Sequence, residues 1–206
     1  TDGDLERYRK MPTRFEIDDS NPFFTLNMNK CVLCGICVRT CAEIQGDSAI
    51  DYGFRGYNTV ISTLCNEPLA DSMCVSCGEC VTRCPTGALS IKNPQPPARE
   101  VKTICTYCGV GCGIILGVRG NQVVSVKGDR DNVVNRGHLC VKGRYGHSFI
   151  NHPDRLKTPL IKKDGVFTEA TWNEALDLIA ERLSQYKPDE VAVLSSAKIT
   201  NEDNYV

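Results

Sequence analysis

The chain has 206 residues, enough for one or two domains, and its 24 lysine and arginine residues nearly balance 25 aspartate and glutamate residues. The net charge of −1 argues against a nucleic-acid binder that works by bulk charge and against a polybasic membrane anchor. The polar first residues lack the apolar region of a secretory signal, and no apolar stretch approaches the roughly 18 residues of a membrane span. Thirteen cysteines, an odd number, fit a disulfide framework badly and indicate metal or redox chemistry.

Two runs of four cysteines in the first half of the chain form an internal duplication. Their members are Cys31, Cys34, Cys37 and Cys41, and then Cys74, Cys77, Cys80 and Cys84. Both runs follow the spacing C-x2-C-x2-C-x3-C, which is typical of 4Fe–4S clusters. Gly35 and Gly78, at matching positions, let the backbone approach each cluster. Zinc is the alternative, but it usually takes two C-x2-C pairs that lie further apart.

The end of the second run predicts crossed ligation. In the bacterial two-cluster pattern, the fourth cysteine of a run is followed by proline and binds the other cluster. Pro85 follows Cys84 as the pattern requires, whereas Ala42 follows Cys41. We therefore predict a first set of ligands and a second set, namely Cys31, Cys34, Cys37 and Cys84, and Cys74, Cys77, Cys80 and Cys41. Cys65, between the runs, is interpreted as a buried structural thiol and not as a ligand.

A proline-rich stretch follows the second run. Pro94, Pro96 and Pro97 cannot continue a helix or a central strand, so residues 94–100 are predicted to be a stiff linker between domains. Beyond this linker, residues 113–126 alternate loosely between apolar and polar and are divided by Gly120-Asn121. This pattern predicts a β-hairpin.

A third set of cysteines flanks the predicted hairpin, and its members are Cys105, Cys108, Cys112 and Cys140. Spacing alone leaves zinc open for this set. Three glycines among the ligands permit the tight backbone path that a cubane cluster needs, so a third 4Fe–4S cluster is favoured. His138, His147 and His152 lie nearby but are interpreted as surface or core residues, because Cys140 already completes the set.

The last part of the chain predicts the start of an α/β domain. Residues 171–174 match a capping box, and one helical face is apolar, formed by Trp172, Ala175, Leu176, Ile179 and Leu183. Pro188 is predicted to end this helix, and residues 190–194 are predicted to form a buried strand.

Three stretches of sequence carry a resemblance to known families. Residues 29–92, which contain Cys-Pro-Thr-Gly-Ala-Leu near their end, resemble the two-cluster bacterial ferredoxin domain. Residues 102–159 resemble the N-terminal 4Fe–4S domain of molybdopterin oxidoreductases, and the formate dehydrogenase branch fits best. The matching strings are Tyr-Cys-Gly-Val-Gly-Cys, Arg-Gly-His-Leu-Cys-Val-Lys-Gly-Arg and His-Pro-Asp-Arg-Leu-Lys-Thr-Pro-Leu. Residues 195–205 resemble the stretch upstream of the Cys or selenocysteine that binds the metal in that family.

The resemblance implies a molybdenum or tungsten bis(molybdopterin guanine dinucleotide) centre in the full-length protein, with formate or CO2 as substrate. It implies that Lys142 relays electrons between the third cluster and the pterin, and that the catalytic residues lie beyond Val206. Expected partners are redox subunits linked to NAD, ferredoxin or hydrogenase, without nucleic acid and without a direct membrane span. A reducing cytoplasm is the expected location, since exposed clusters survive oxidising compartments badly.

The function predicted is therefore the iron–sulfur electron-transfer portion of a formate dehydrogenase or CO2 reductase catalytic subunit, an oxidoreductase. One alternative is a large iron–sulfur subunit similar to that of complex I (NADH dehydrogenase), and another is a polyferredoxin electron carrier that is not an enzyme. The Val-Lys-Gly-Arg string favours formate dehydrogenase over the complex I-like subunit. The helix and strand after Thr171 are unnecessary in a carrier.

The predicted fold class is α+β, with five consecutive parts. They are an N-terminal extension (1–28), a two-cluster ferredoxin-like domain (29–93), the proline-rich linker (94–100), a small β-rich 4Fe–4S domain (101–160) and the truncated start of an α/β molybdopterin-binding domain (161–206).

Overall fold

The computed structural model describes residues 15–199 and 201–205. Helices and strands are mixed along the chain, as predicted. Two compact units can be distinguished: the first comprises the described residues up to Cys105 together with Val110–His147, and the second comprises Thr106–Gly109 and the described residues from Ser148 onward. The boundary between these units does not fall in the proline-rich stretch, and the five-part division stays a prediction.

Nine strands and five α-helices make up the regular structure of the described residues. The strands are β1 (Phe24–Leu26), β2 (Ile50–Gly53), β3 (Val60–Thr63), β4 (Leu89–Ile91), β5 (Arg99–Ile104), β6 (Gly113–Arg119), β7 (Gln122–Gly128), β8 (Leu160–Lys163) and β9 (Val166–Glu169). The helices are α1 (Ile36–Arg39), α2 (Glu79–Arg83), α3 (Val141–Tyr145), α4 (Trp172–Leu183) and α5 (Asn201–Tyr205). No helix in this part of the chain combines the length and the apolar character that a membrane crossing requires.

The two cysteine runs have the same backbone path, as their duplicated spacing predicts. Leu33 and Ser76, each two residues after the first cysteine of its run, have φ values of +53° and +56°. Gly35 and Gly78 follow with φ values of +71° and +76°, and each caps the short helix that begins next, α1 or α2. Because such angles are unfavourable for residues with a Cβ atom, glycine suits both caps.

The first unit contains three separate antiparallel sheets. Strand β1 pairs with β4, β2 pairs with β3, and β5, β6 and β7 form a three-stranded sheet. The hairpin predicted around Gly120 is confirmed, because β6 and β7 pair in antiparallel fashion and Gly120 has a φ of +58° in the turn. Strand β5 begins at Arg99, directly after the prolines.

Two hydrophobic cores support the cysteines of the first unit. The first core contains Phe24, Leu26, Ile50, Ile61, Leu69, Val81 and Leu89, and six cysteines of the two runs pack against it. The second core contains Ile114, Val126 and Leu139, and Cys105 and Cys112 pack against it. The first two cysteine runs therefore share one core, whereas the third set rests on another.

The second unit contains the β8–β9 hairpin and α4. The predicted capping box is confirmed: Thr171 Oγ1 accepts a hydrogen bond from the Glu174 backbone N–H, and the Glu174 carboxylate accepts one from the Thr171 backbone N–H. Helix α4 ends at Leu183, before Pro188, and its apolar face is largely exposed. The predicted strand at residues 190–194 is wrong, because a strand needs a hydrogen-bonded neighbour and no described segment pairs with these residues.

Candidate metal centres

A cavity in the first unit is lined by all four cysteines of the first set. Cys31, Cys34 and Cys37 come from the loop before α1 and its first turn, and Cys84 comes from the end of α2. Burial, together with the neighbouring thiols of Cys31, Cys34 and Cys84, raises the pKa of the Cys37 thiol to about 11. Thiolates gathered this closely repel one another, so a bound cationic centre would relieve the repulsion.

A second cavity in the same unit is lined by all four cysteines of the second set. Cys74, Cys77 and Cys80 surround it from the second run, and Cys41 reaches it from the first run. The pKa of Cys74 is raised by burial and by the thiol of Cys41. The pKa of Cys80 is raised by burial and then by the thiols of Cys77, Cys74 and Cys37. A thiol of the first cavity, Cys37, thus acts electrostatically on a thiol of the second cavity, Cys80.

Backbone N–H groups donate hydrogen bonds to cysteine sulfurs in both cavities. Leu33 donates to Cys31 Sγ at 3.4 Å and Leu89 donates to Cys84 Sγ at 3.4 Å. Ala49 donates to Cys41 Sγ at 3.3 Å. Such bonds favour the charged sulfur that binds iron and tune the potential of a cluster.

The two cavities fit 4Fe–4S clusters in donor set and surroundings. Each offers four thiols, apolar walls and backbone donors aimed at sulfur. Within the described residues, no three or more His, Cys, Asp or Glu side chains lie close enough together to hold a single metal ion. A cubane spreads its four ligands further apart than one ion does, because each thiolate binds a different iron atom.

Three cysteines of the third set lie in the first unit. Cys105 donates its backbone N–H to Cys112 O at 2.8 Å, and Cys140 caps the N-terminus of α3. A Cβ atom added at Gly143 would lie 3.7 Å from Cys105 Sγ, so α3 passes close to that thiol. Cys108 is exposed in the segment Thr106–Gly109, which belongs to the second unit. The four-cysteine set stays a prediction.

Asn135 organises the backbone around the third set, and the sequence reasoning missed it. Its side chain accepts a hydrogen bond from the Gly113 N–H at 2.8 Å and donates to Gly113 O at 3.1 Å and His138 O at 2.8 Å. This buried amide therefore ties the residue after Cys112 to the loop that leads to Cys140. A lone asparagine in a polar loop gives no sequence signal for this role.

The remaining residues singled out from the sequence lie at separate places. Lys142 is exposed on α3, His152 is exposed, and His147 is half-buried, with a pKa lowered by burial. His138 is half-buried and contacts Glu79. The interpretation of Cys65 as a buried thiol is wrong: Cys65 is exposed in a 3-10 turn, because the chain leaves the first core after β3.

Three family models match consecutive segments of the chain. Residues 21–90 match the ferredoxin-like domain of NADH-quinone oxidoreductase subunit 3. Residues 98–152 match the molybdopterin oxidoreductase Fe4S4 domain, and residues 155–206 match the model described as molybdopterin oxidoreductase.

Named relatives are similar over nearly the whole chain. The chain is 30% identical over 236 aligned positions to "Probable oxidoreductase YjgC" of Bacillus subtilis (strain 168), which covers 92% of the chain and 24% of the relative. It is 30% identical to "Putative formate dehydrogenase SAB2186c" of Staphylococcus aureus (strain bovine RF122 / ET3-1), covering 91% of the chain and 24% of the relative. The chain thus spans about a quarter of the length of these relatives.

One solved structure, an NAD+-reducing NiFe-hydrogenase in the H2-reduced state, is 32% identical with a TM-score of 0.35. The similarity covers 39% of this chain and 34% of that chain.

Proposed function

We propose that the chain is the electron-transfer portion of a formate dehydrogenase or CO2 reductase catalytic subunit of the molybdopterin oxidoreductase family, two of whose models match residues 98–152 and 155–206. The observation that carries the electron-transfer role is the pair of cavities, each lined by four cysteines drawn from both runs. The proposal of formate as substrate is supported by relatives that bear the name formate dehydrogenase at 30% identity.

The proposed ligand sets are the first, second and third sets, with crossed ligation between the two runs. When bound, a 4Fe–4S cluster accepts and donates one electron at a time. The protein contributes thiolates, backbone N–H donors such as that of Ala49, and apolar walls that exclude water from the sulfurs. These groups hold each centre in place and adjust its potential.

In this proposal, Lys142 relays electrons between the third set and a molybdenum or tungsten bis-pterin centre of the full-length protein. Its position two residues after Cys140, exposed on α3, is compatible with contact to a bound group. We further propose that partner redox subunits exchange electrons with the first two sets, and that the protein works in a reducing cytoplasm, where thiolates persist.

A complex I-like iron–sulfur subunit is the second candidate, and the match of residues 21–90 to a ferredoxin-like domain of NADH-quinone oxidoreductase favours it. The two molybdopterin oxidoreductase matches, over residues 98–152 and 155–206, favour the first candidate. The substrate that reduces the clusters distinguishes the two. Formate added to the anaerobic full-length protein should reduce its clusters if the first candidate is right. Absence of reduction by formate, with reduction by NADH in the assembled complex, would favour the second.

Metal analysis tests the cluster assignment directly. The three proposed cubane clusters together hold about twelve iron atoms and about twelve acid-labile sulfides. The full-length protein purified under anaerobic conditions should therefore contain at least this amount and no stoichiometric zinc. About eight iron atoms, with one zinc ion making up the difference, would contradict the third set as a cluster site.

A further inference from the structure

A buried acidic side chain lies inside the second cysteine run. Glu79, the first residue of α2, stands between Cys77 and Cys80, and its side chain is only 2% exposed. A carboxylate in such a place is strongly unfavourable unless other groups compensate its charge. Its partners must therefore explain why it is there.

Arg83 of the same helix lies 3.4 Å from the Glu79 carboxylate. The other partners come from residues 138–144, which we call the Cys140 segment. Arg144, 4% exposed, forms an ion pair with Glu79 and donates from Nε to Cys77 O at 2.8 Å. Leu139 donates its backbone N–H to Glu79 Oε1 at 3.0 Å, and His138 Nδ1 lies 3.2 Å from Glu79 Oε2. The carboxylate thus contacts the first two residues of the Cys140 segment and its last residue.

A second contact joins α3 to the part of the first unit that contains the first hydrophobic core. The ring of Tyr145, the last residue of α3, stacks on Phe23 with centroids 4.4 Å apart and an interplanar angle of 1°. Tyr145 also packs against the first hydrophobic core. Helix α3, which Cys140 caps, is therefore held against the ferredoxin-like part by one polar and one aromatic contact.

The charges of the pair lie next to a cysteine ligand. The Leu139 N–H and the Arg144 guanidinium compensate the charge of the buried Glu79 carboxylate. Arg144 Nε also donates to the backbone carbonyl of Cys77 at 2.8 Å, so the ion pair lies beside this ligand. A charge in this place acts through a poorly polarisable interior and is felt strongly by a nearby redox centre.

We propose that Glu79 and Arg144 are a positioning pair that holds the Cys140 segment at a fixed distance from the second set, and that their opposite charges balance each other beside the cluster bound there, so that loss of either partner alone shifts its reduction potential. This inference rests on the proposed function, because it needs a cluster at the second set. The opposite charges of the pair give the two residues opposite effects. Each residue alone shifts the potential, and together they nearly cancel.

The test is a redox titration of the full-length, anaerobically purified protein followed by electron paramagnetic resonance. Glu79→Gln leaves the Arg144 cation unpaired and should raise the midpoint potential of the second cluster. Arg144→Gln leaves the carboxylate unpaired and should lower it, and the double variant should return toward the unaltered value. Arg83→Gln gives a graded comparison, because Arg83 lies 3.4 Å from the same carboxylate but is 32% exposed. It should shift the potential in the same direction as Arg144→Gln, but by less, since water screens its charge more. Shifts of Glu79→Gln and Arg144→Gln in the same direction, or no shift at all, would overturn the electrostatic part.

Arg144→Lys separates position from charge. Lysine keeps the cation but cannot bond both Cys77 O and the carboxylate with a rigid fork. The potential should stay close to the unaltered value, while the magnetic interaction between the reduced second and third clusters should change. An unchanged interaction would overturn the positioning part. If the polar variants lose iron on purification, this charge-conserving variant carries the test.

Iron analysis distinguishes the two possible failures. If the unaltered protein lacks iron and sulfide, the proposed function fails and the inference fails with it. If the unaltered protein holds its full iron content and the variants leave both potential and magnetic interaction unchanged, only the inference fails.

Discussion

Cys84 is the residue at which crossed ligation can be tested most sharply. It belongs to the second run, yet it lines the first cavity, and its thiol raises the pKa of Cys37. We expect Cys84→Ser to damage the cluster bound by Cys31, Cys34 and Cys37 and to spare the second set. Electron paramagnetic resonance and iron analysis of the anaerobic full-length protein would show the loss of one spectral component and of up to about four iron atoms.

The control for this prediction is Cys65→Ser. Cys65 is exposed and lines neither cavity, so its replacement should leave the iron content and the spectrum unchanged. Loss of the second cluster in Cys84→Ser, with an intact first cluster, would instead indicate that each run binds its own cluster.

Lys142 provides a test of the path beyond the third set. It is exposed on α3, so Lys142→Ala should change stability by no more than about 0.5 kcal/mol. If Lys142 relays electrons, the variant should keep its iron but show slower cluster reduction by formate in rapid-mixing experiments. Lys142→Arg should recover only part of the rate, because guanidinium and ammonium differ in shape and hydration.

The exposed Lys157 serves as the control, and Lys157→Ala should leave the reduction rate unchanged. Unchanged cluster reduction in Lys142→Ala would show that Lys142 is only a solvated cation. The cysteine assignments would not be affected by that result.

At the scale of elements, the glycine caps of α1 and α2 decide how closely the cysteine loops pack. A Cβ atom added at Gly78 would lie 2.3 Å from Tyr145 Oη and 2.7 Å from Arg144 Cδ. Gly78→Ala should therefore destabilise the second cluster site in two ways. The alanine would have an unfavourable φ that costs about 1–2 kcal/mol, and its Cβ atom would displace α3.

Gly87→Ala is a matched variant for this prediction. Gly87 has a φ of +69°, but an added Cβ atom would meet nothing within 4 Å. Both variants should share the backbone cost, and only Gly78→Ala should release iron from the second set at clearly lower denaturant concentration. Equal sensitivity of the two variants would show that the close approach of α3 is unimportant.

At the scale of the whole first unit, the two cores predict which clusters are lost together. Ile61 lines both cavities and is 3% exposed in the first core, whereas Ile114 is 7% exposed in the second core. Replacing either isoleucine by alanine should cost about 2–5 kcal/mol. Because the cores are separate, the two variants should release different clusters.

Ile61→Ala should lose the first two clusters, about eight iron atoms, in one step on mild heating. Ile114→Ala should lose only the third cluster, about four iron atoms. The measurement is iron and sulfide content after heating under anaerobic conditions, with spectra that identify the surviving clusters. Sequential loss of the first two clusters in Ile61→Ala would show that they do not depend on a common core.

The sequence by itself determined the features that local chemistry dictates. The spacing of cysteines and glycines predicted the duplicated loops, and Gly120-Asn121 predicted the hairpin that joins β6 and β7. Thr171 and Glu174 predicted the capping box, because such hydrogen bonds join residues three positions apart. The same local reasoning failed at residues 190–194, since an apolar run becomes a strand only where another strand pairs with it.

Tertiary structure alone decided the features that join distant parts of the chain. A glutamate among cysteines gives a pattern typical of solvent exposure, yet Glu79 is buried because Arg144, 65 positions later, neutralises it. Asn135 and Tyr145 likewise depend on partners at Gly113 and Phe23. Nothing in the spacing along a chain specifies such pairings, because burial and charge compensation depend on which segments the fold brings together.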